Sequence, residues 1–101
     1  MDSYAVVWQL EASGEPVVSG RLEIGHVSLT LHGGTRGDAR HLEIPFANIL
    51  CVRGDYAWLG PLRAITLDAS EIGRLLLATT SGLMVRHEIL GQLQLAAVAF
   101  A

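Results

Sequence analysis

The sequence predicts a mainly β (α+β) domain: an antiparallel meander of about six or seven strands, bent into a partly open barrel and capped by one C-terminal helix. Three observations carry this expectation. Apolar and polar residues alternate through the first three-quarters of the chain, the period of half-buried strands. Clusters of Gly, Pro, Asn and Asp punctuate the alternation. From Gly82 onward the apolar spacing changes to three and four, that of a helix. The chain has 101 residues, enough for a single domain over 1–101, and 50% are apolar, so a core needs neither disulfides nor metal.

Residues 4–10 form the first predicted strand, with Tyr4, Val6, Trp8 and Leu10 on one side. A loop over 11–16 follows, ending in Pro16. Residues 17–24 and 27–32 are the next two strands. Gly25 and His26 between them suit a two-residue type II′ turn, whose first position needs positive φ. That turn would pair Ile24 with Val27, Leu22 with Leu29, Glu23 with Ser28 and Arg21 with Thr30. In the following hairpin Leu31 pairs with Leu42, Leu29 with Ile44 and Val27 with Phe46. A one-residue slip would turn all three apolar pairs outward, which pins the register. His32 then falls opposite His41 on the other face, and residues 33–40 become the connecting loop.

Pro45 should end or bend its strand. Residues 48–53 resume an extended run, and 54–61 read as a loop carrying Tyr56 and Trp58. Strands over 62–67 and 74–80 flank a turn at 68–73. Ile65, Leu67, Leu75 and Leu77 share a core face there, while Leu76 and Ala78 point away, hinting at cover on both faces. Ser81 opens the helix, predicted over about 82–99. Val85, Ile89, Leu93, Ala96 and Phe100 make its core stripe, widened by Leu83 and Leu90. Met84, Leu95 and Val98 fall on the opposite arc, either as scattered exposed apolar residues or as a surface for another subunit.

This order resembles the pleckstrin-homology-like superfold, of small bacterial and GRAM-like type. The hairpin from Gly20-Arg21-Leu22-Glu23-Ile24 to Val27-Ser28-Leu29-Thr30-Leu31 is similar to the opening of these domains. The run Leu42-Glu43-Ile44-Pro45-Phe46-Ala47-Asn48-Ile49 is similar to their Ile-Pro-aromatic segment, and the closing helix completes the likeness. The resemblance implies a non-enzymatic scaffold that binds proteins, peptides or lipids. Lipid-binding members carry basic residues in the first loop. Here that loop contains Glu11 and Glu15 and no cation, which disfavours anionic lipid, since a phosphoinositide headgroup needs several convergent cations.

Charge narrows the partners further. Seven basic residues, all arginine and dispersed, face ten acids, for a net charge of -3. A field of that sign disfavours nucleic acid and anionic membranes. The N-terminal residues lack the pattern of a signal peptide, and residues 83–101 are too interrupted by polar residues to span a membrane. A cytoplasmic protein is the expectation. The one cysteine, Cys51, sits in an apolar run and reads as a small buried hydrophobe.

Several motifs look like chemistry. His32 and His41 would stand with Cβ atoms about 5 Å apart, and Asp38 or Glu43 would add an oxygen. A structural zinc wants four protein ligands, so no metal site is expected. Gly33, Gly34 and Gly37 do not feed a helix, so they suit a hairpin loop better than a phosphate cradle. The Arg-Gly-Asp triplets at 36–38 and 53–55 read as turn chemistry. Tyr56 and Trp58 form the best binding candidate, or else a lid on the core. No catalytic constellation and no cofactor motif emerges. The expected function is a non-enzymatic binding or assembly module that self-associates, a dimer first, and takes a protein or peptide partner. Two alternatives stay open: a metal-dependent protein or enzyme at the His32, His41 and Asp38 corner, and a peripheral lipid binder.

Overall fold

Val6 and Trp8 are buried on the inner side of the first strand, β1 (Asp2–Leu10), with Tyr4 and Leu10 packed beside them, as the alternation predicts. The structure, a computed structural model, describes residues 2–11, 16–35, 37–59 and 62–100 and, apart from 2, 35, 55–59, 62, 63 and 96–100, their side chains. The further strands are β2 (Val18–Ile24), β3 (Ser28–Thr35), β4 (Asp38–Pro45), β5 (Ile49–Leu59), β6 (Leu62–Ala69) and β7 (Gly73–Thr79). The helix, α1, spans Gly82–Phe100.

Among the described residues the seven strands form one antiparallel sheet in the order β4-β3-β2-β1-β7-β6-β5. That order forces a curl. The edges of a flat seven-stranded sheet would lie about 29 Å apart. Yet β4 and β5 are joined only by the 3-10 turn Phe46–Asn48, a link that reaches about 14 Å at most. The sheet therefore bends into a half-barrel, and α1 packs against β5, β6 and the 3-10 turn. Pro45 ends β4 as expected, and Phe46, 2% exposed, turns into the core. The turn is held by backbone bonds from Phe46 N–H to the Val27 carbonyl at 2.9 Å and from Ser70 N–H to the Asn48 carbonyl at 2.9 Å.

The β3–β4 register agrees with the prediction: Leu31 pairs with Leu42, Leu29 with Ile44 and His32 with His41. The hairpin is tighter than expected, however. Pairing continues through Gly33↔Arg40, Gly34↔Ala39 and Thr35↔Asp38, so most of the anticipated loop is strand. The β2–β3 register differs from the prediction by two residues. Ile24 pairs with Leu29, Leu22 with Leu31 and Arg21 with His32. Gly25 N–H donates to the Ser28 carbonyl at 3.0 Å across a longer connection, which leaves Val27 78% exposed rather than on the core face. Gly20 stands opposite Gly33 where the strands approach so closely that a Cβ on Gly20 would strike the His32 carbonyl oxygen.

A second correction concerns residues 54–59, expected in a loop. They belong to β5, which pairs with β6 through Gly54↔Ile65 and Tyr56↔Ala64, with register shifts between Ile49 and Cys51, Gly54 and Tyr56, and Ala57 and Leu59. Such bulges are frequent on edge strands, where they twist the free edge away from chance pairing. On β6 and β7 the pairs Ile65↔Leu77 and Leu67↔Leu75 lie in the core as predicted. Ala64 and Ala78, paired on the outer face, are also buried, while Leu76 is half-buried.

Candidate functional site

The helix is held by one stripe: Val85 and Ile89 are fully buried, and Leu93 packs on the same core. Its two charged residues, Arg86 and Glu88, are half-buried rather than exposed. Glu88 Oε2 accepts a hydrogen bond from the Tyr4 hydroxyl at 2.8 Å. The Arg86 stem lies against Gly54 of β5, its Cδ 3.2 Å from where a Cβ would stand. The described helix residues that are exposed are Leu83, Met84, His87, Gly91, Gln94 and Leu95. None carries a fixed charge, and Leu83, Met84 and Leu95 are each more than 60% exposed. The helix thus buries an apolar stripe as a surface helix does, but its exposed face lacks fixed charge and carries three large apolar side chains, Leu83, Met84 and Leu95, beside His87, Gly91 and Gln94.

Met84 and Leu95 lie where the sequence predicts, and the side chain of Val98 is outside those described. Leu83, expected in the core stripe, is 64% exposed. Helical geometry explains this, since two residues separate it from Val85 by about 200° around the axis. Ala96 and Phe100 have no described side chains.

His32 and His41 meet as predicted, their ring centroids 4.8 Å apart in an edge-on arrangement with an interplanar angle of 76°. Asp38 does not join them. It sits at the hairpin tip with its carboxylate 3.3 Å from Arg40 Nε. A carboxylate beside the pair is that of Glu23, Oε2 lying 3.8 Å from His32 Nε2. The sequence marks Glu23 only by its outward phase on β2. Among the described residues no group of three or more His, Cys, Asp or Glu side chains is placed to hold a metal ion.

The side chains of Tyr56 and Trp58 lie outside those described; their backbone is in β5. The triplet at 53–55 is likewise within β5 rather than in a loop. Cys51, expected to be buried, is half-buried and pairs with Asp68 across the β5–β6 ladder.

An ion network that the sequence does not announce covers the outer side of β5, β6 and β7. Asp68 accepts from Arg74 Nε at 3.1 Å and lies 3.6 Å from Arg53, while Arg74 also approaches Glu11 at 3.9 Å. The Asp68 hydrogen bond, then the charges of Asp68 and Glu11, hold the Arg74 guanidinium above its ordinary range. The Cys51 sulfur and then Asp68 do the same for Arg53. A shallow cleft of about 440 Å³ runs beside the network, lined by Glu11, Leu50, Asp68, Ala69, Gly73 and Arg74.

In class, the chain is a small mainly β domain in which one curled antiparallel sheet is closed by a C-terminal helix. No family model matches the sequence, and none of the curated proteins matches it. Among solved structures it is similar to the C-terminal domain of an unknown protein from Leishmania infantum, with a TM-score of 0.75. That match covers 93% of this chain and 83% of the other at 17% identity, a likeness of fold alone. Among the described residues no helix is long and apolar enough to cross a membrane.

Proposed function

We propose that this domain is a non-enzymatic binding and assembly module, of the pleckstrin-homology-like type its sequence resembles, and that it self-associates through the outer face of α1. The observation that carries this is the exposed face of the helix. Arg86 and Glu88 lean onto the sheet, while Leu83, Met84 and Leu95 stand in solvent on a face without fixed charge. In a chain with a net charge of -3, that face is where two copies approach without meeting like charges. A two-fold pair needs a self-complementary patch. Gly91, where an added Cβ would touch nothing within 4 Å, lets two antiparallel helices cross closely. His87 and Leu95, equidistant from Gly91 in sequence, then meet across the axis. A cytoplasmic location and a further protein or peptide partner accord with this role.

Size-exclusion chromatography with light scattering over a concentration series tests it. The mass rises toward twice the monomer for the natural sequence and stays monomeric for a Met84→Asp, Leu95→Asp variant. A monomer at every concentration removes the proposal.

A further inference from the structure

His32 and His41 are fixed opposite one another by the β3–β4 ladder, on the solvent side of strands whose alternate residues, Leu29 and Leu31, are fully buried. From this geometry we infer that the two imidazoles form a chelate for a borderline divalent transition-metal ion such as Zn²⁺, Ni²⁺ or Cu²⁺. The carrying observation is their separation. An ion bonded to one nitrogen of each ring at the usual distance lies about 3.2 Å from each ring centroid. Centroids 4.8 Å apart then correspond to an N–metal–N angle of about 97°. That value lies between the square and tetrahedral angles these ions adopt. His32 is half-buried and His41 exposed, and chelation requires rotation about their side-chain bonds rather than a change of backbone.

Two features favour the chelate over a chance ring contact. The ladder holds both backbones in place, so the second imidazole binds at high effective concentration once the first has bound. Glu23, its Oε2 3.8 Å from His32 Nε2, places a negative charge beside the ring, which favours a bound cation. With two protein ligands the ion keeps open positions for water or another donor, so the site exchanges its metal rather than burying it. This assignment does not depend on self-association through α1.

The remaining histidines, His26 and His87, provide internal controls. Isothermal titration with NiCl₂ and ZnCl₂ is run on the natural sequence and on His26→Ala, His32→Ala, His41→Ala and His87→Ala, with circular dichroism confirming that each folds. The expected result is one ion per chain, with affinity lowered on the order of tenfold or more by loss of either His32 or His41. Loss of His26 or His87 leaves it unchanged. His32→Asn and His41→Asn, which keep a polar surface, weaken binding in the same way. The inference is overturned if the natural sequence binds no more tightly than its His32→Ala variant, or if removing His26 or His87 weakens binding as much as removing His32 or His41.

Discussion

Tyr4 donates a hydrogen bond from its hydroxyl to Glu88 Oε2 at 2.8 Å, joining the first strand to the second turn of α1 across 84 residues of sequence. The bond explains why Glu88 leans inward, and so why the outer helix face lacks its charge. Part-buried and made to a carboxylate, it should stabilise the fold by about 2 kcal/mol, within the range for hydrogen bonds to charged groups. Tyr4→Phe removes the donor and keeps the ring. We expect the urea midpoint to fall by that free energy divided by the slope, with the slope unchanged. Glu88→Gln, which keeps an acceptor, should cost less. An unaltered midpoint in Tyr4→Phe would mean that the two elements are held together by apolar contact alone.

The orientation of α1 gives a second prediction. Ile89 is fully buried, while Leu83 is 64% exposed. Ile89→Ala should cost about 3 kcal/mol, the sum of lost burial and a residual cavity. Leu83→Ala should stay within about 0.5 kcal/mol in the monomer. Thermal unfolding at a concentration where the protein is monomeric separates the two. Comparable losses would return Leu83 to the core stripe, where its sequence spacing alone had placed it.

That misplacement shows which parts of the fold were legible in the sequence. The β3–β4 pairing was, because Leu29, Leu31, Leu42 and Ile44 would all turn outward after a one-residue slip. The β2–β3 pairing was not, because a slip of two keeps Leu22 and Ile24 on the same face, and periodicity cannot distinguish the two registers. The turn had to decide, and Gly25 suggested a positive φ there. The positive-φ glycines among the described residues are Gly34 and Gly73 instead. Gly54 and Asp55 read as loop residues, yet an edge strand absorbs them through bulges. Of the helix surface, Met84 and Leu95 were visible from spacing. The inward lean of Arg86 and Glu88 was not, since it depends on Gly54 and Tyr4, distant in sequence and brought close by the sheet. His32 and His41 followed from register, whereas Glu23 came beside them only through the β2–β3 pairing that the sequence misassigned.

Two glycines should respond oppositely to the same substitution. Gly20→Ala places a Cβ against the His32 carbonyl oxygen, a backbone atom that cannot rotate away. The strands must separate, and a loss of about 2 kcal/mol or more is expected, in the range of overpacked cores. Gly91→Ala meets nothing within 4 Å on an exposed helix face. It should stabilise the monomer by about 0.8 kcal/mol through helix propensity. Chemical denaturation of both variants reads the contrast, and a neutral Gly20→Ala would show that β2 and β3 do not approach as closely as described.

Asp68 should be the member of the outer network whose loss matters most, because it alone contacts both Arg74 and Arg53. Its side chain is 24% exposed, against 44% for Arg74 and 63% for Arg53. Asp68→Asn should therefore lower stability more than Glu11→Gln, whose partner in the network is Arg74 at 3.9 Å. Added salt should narrow the difference, since partly exposed charges are screened. The arginine side fixes the pH behaviour. Both guanidinium groups are held above their ordinary range. A raised cation contributes stability that is complete below its unfolded value and is lost only as pH rises through the folded one. That window lies above the ordinary guanidinium range, so the arginine contribution should not vary between neutral and mildly alkaline pH. Denaturation of the natural sequence, Asp68→Asn and Glu11→Gln at low and high salt, and at neutral and mildly alkaline pH, checks both halves. Equal stabilities at low salt would mean that Asp68 has no special place in the network, and a salt-independent difference would mean that it acts by packing rather than charge.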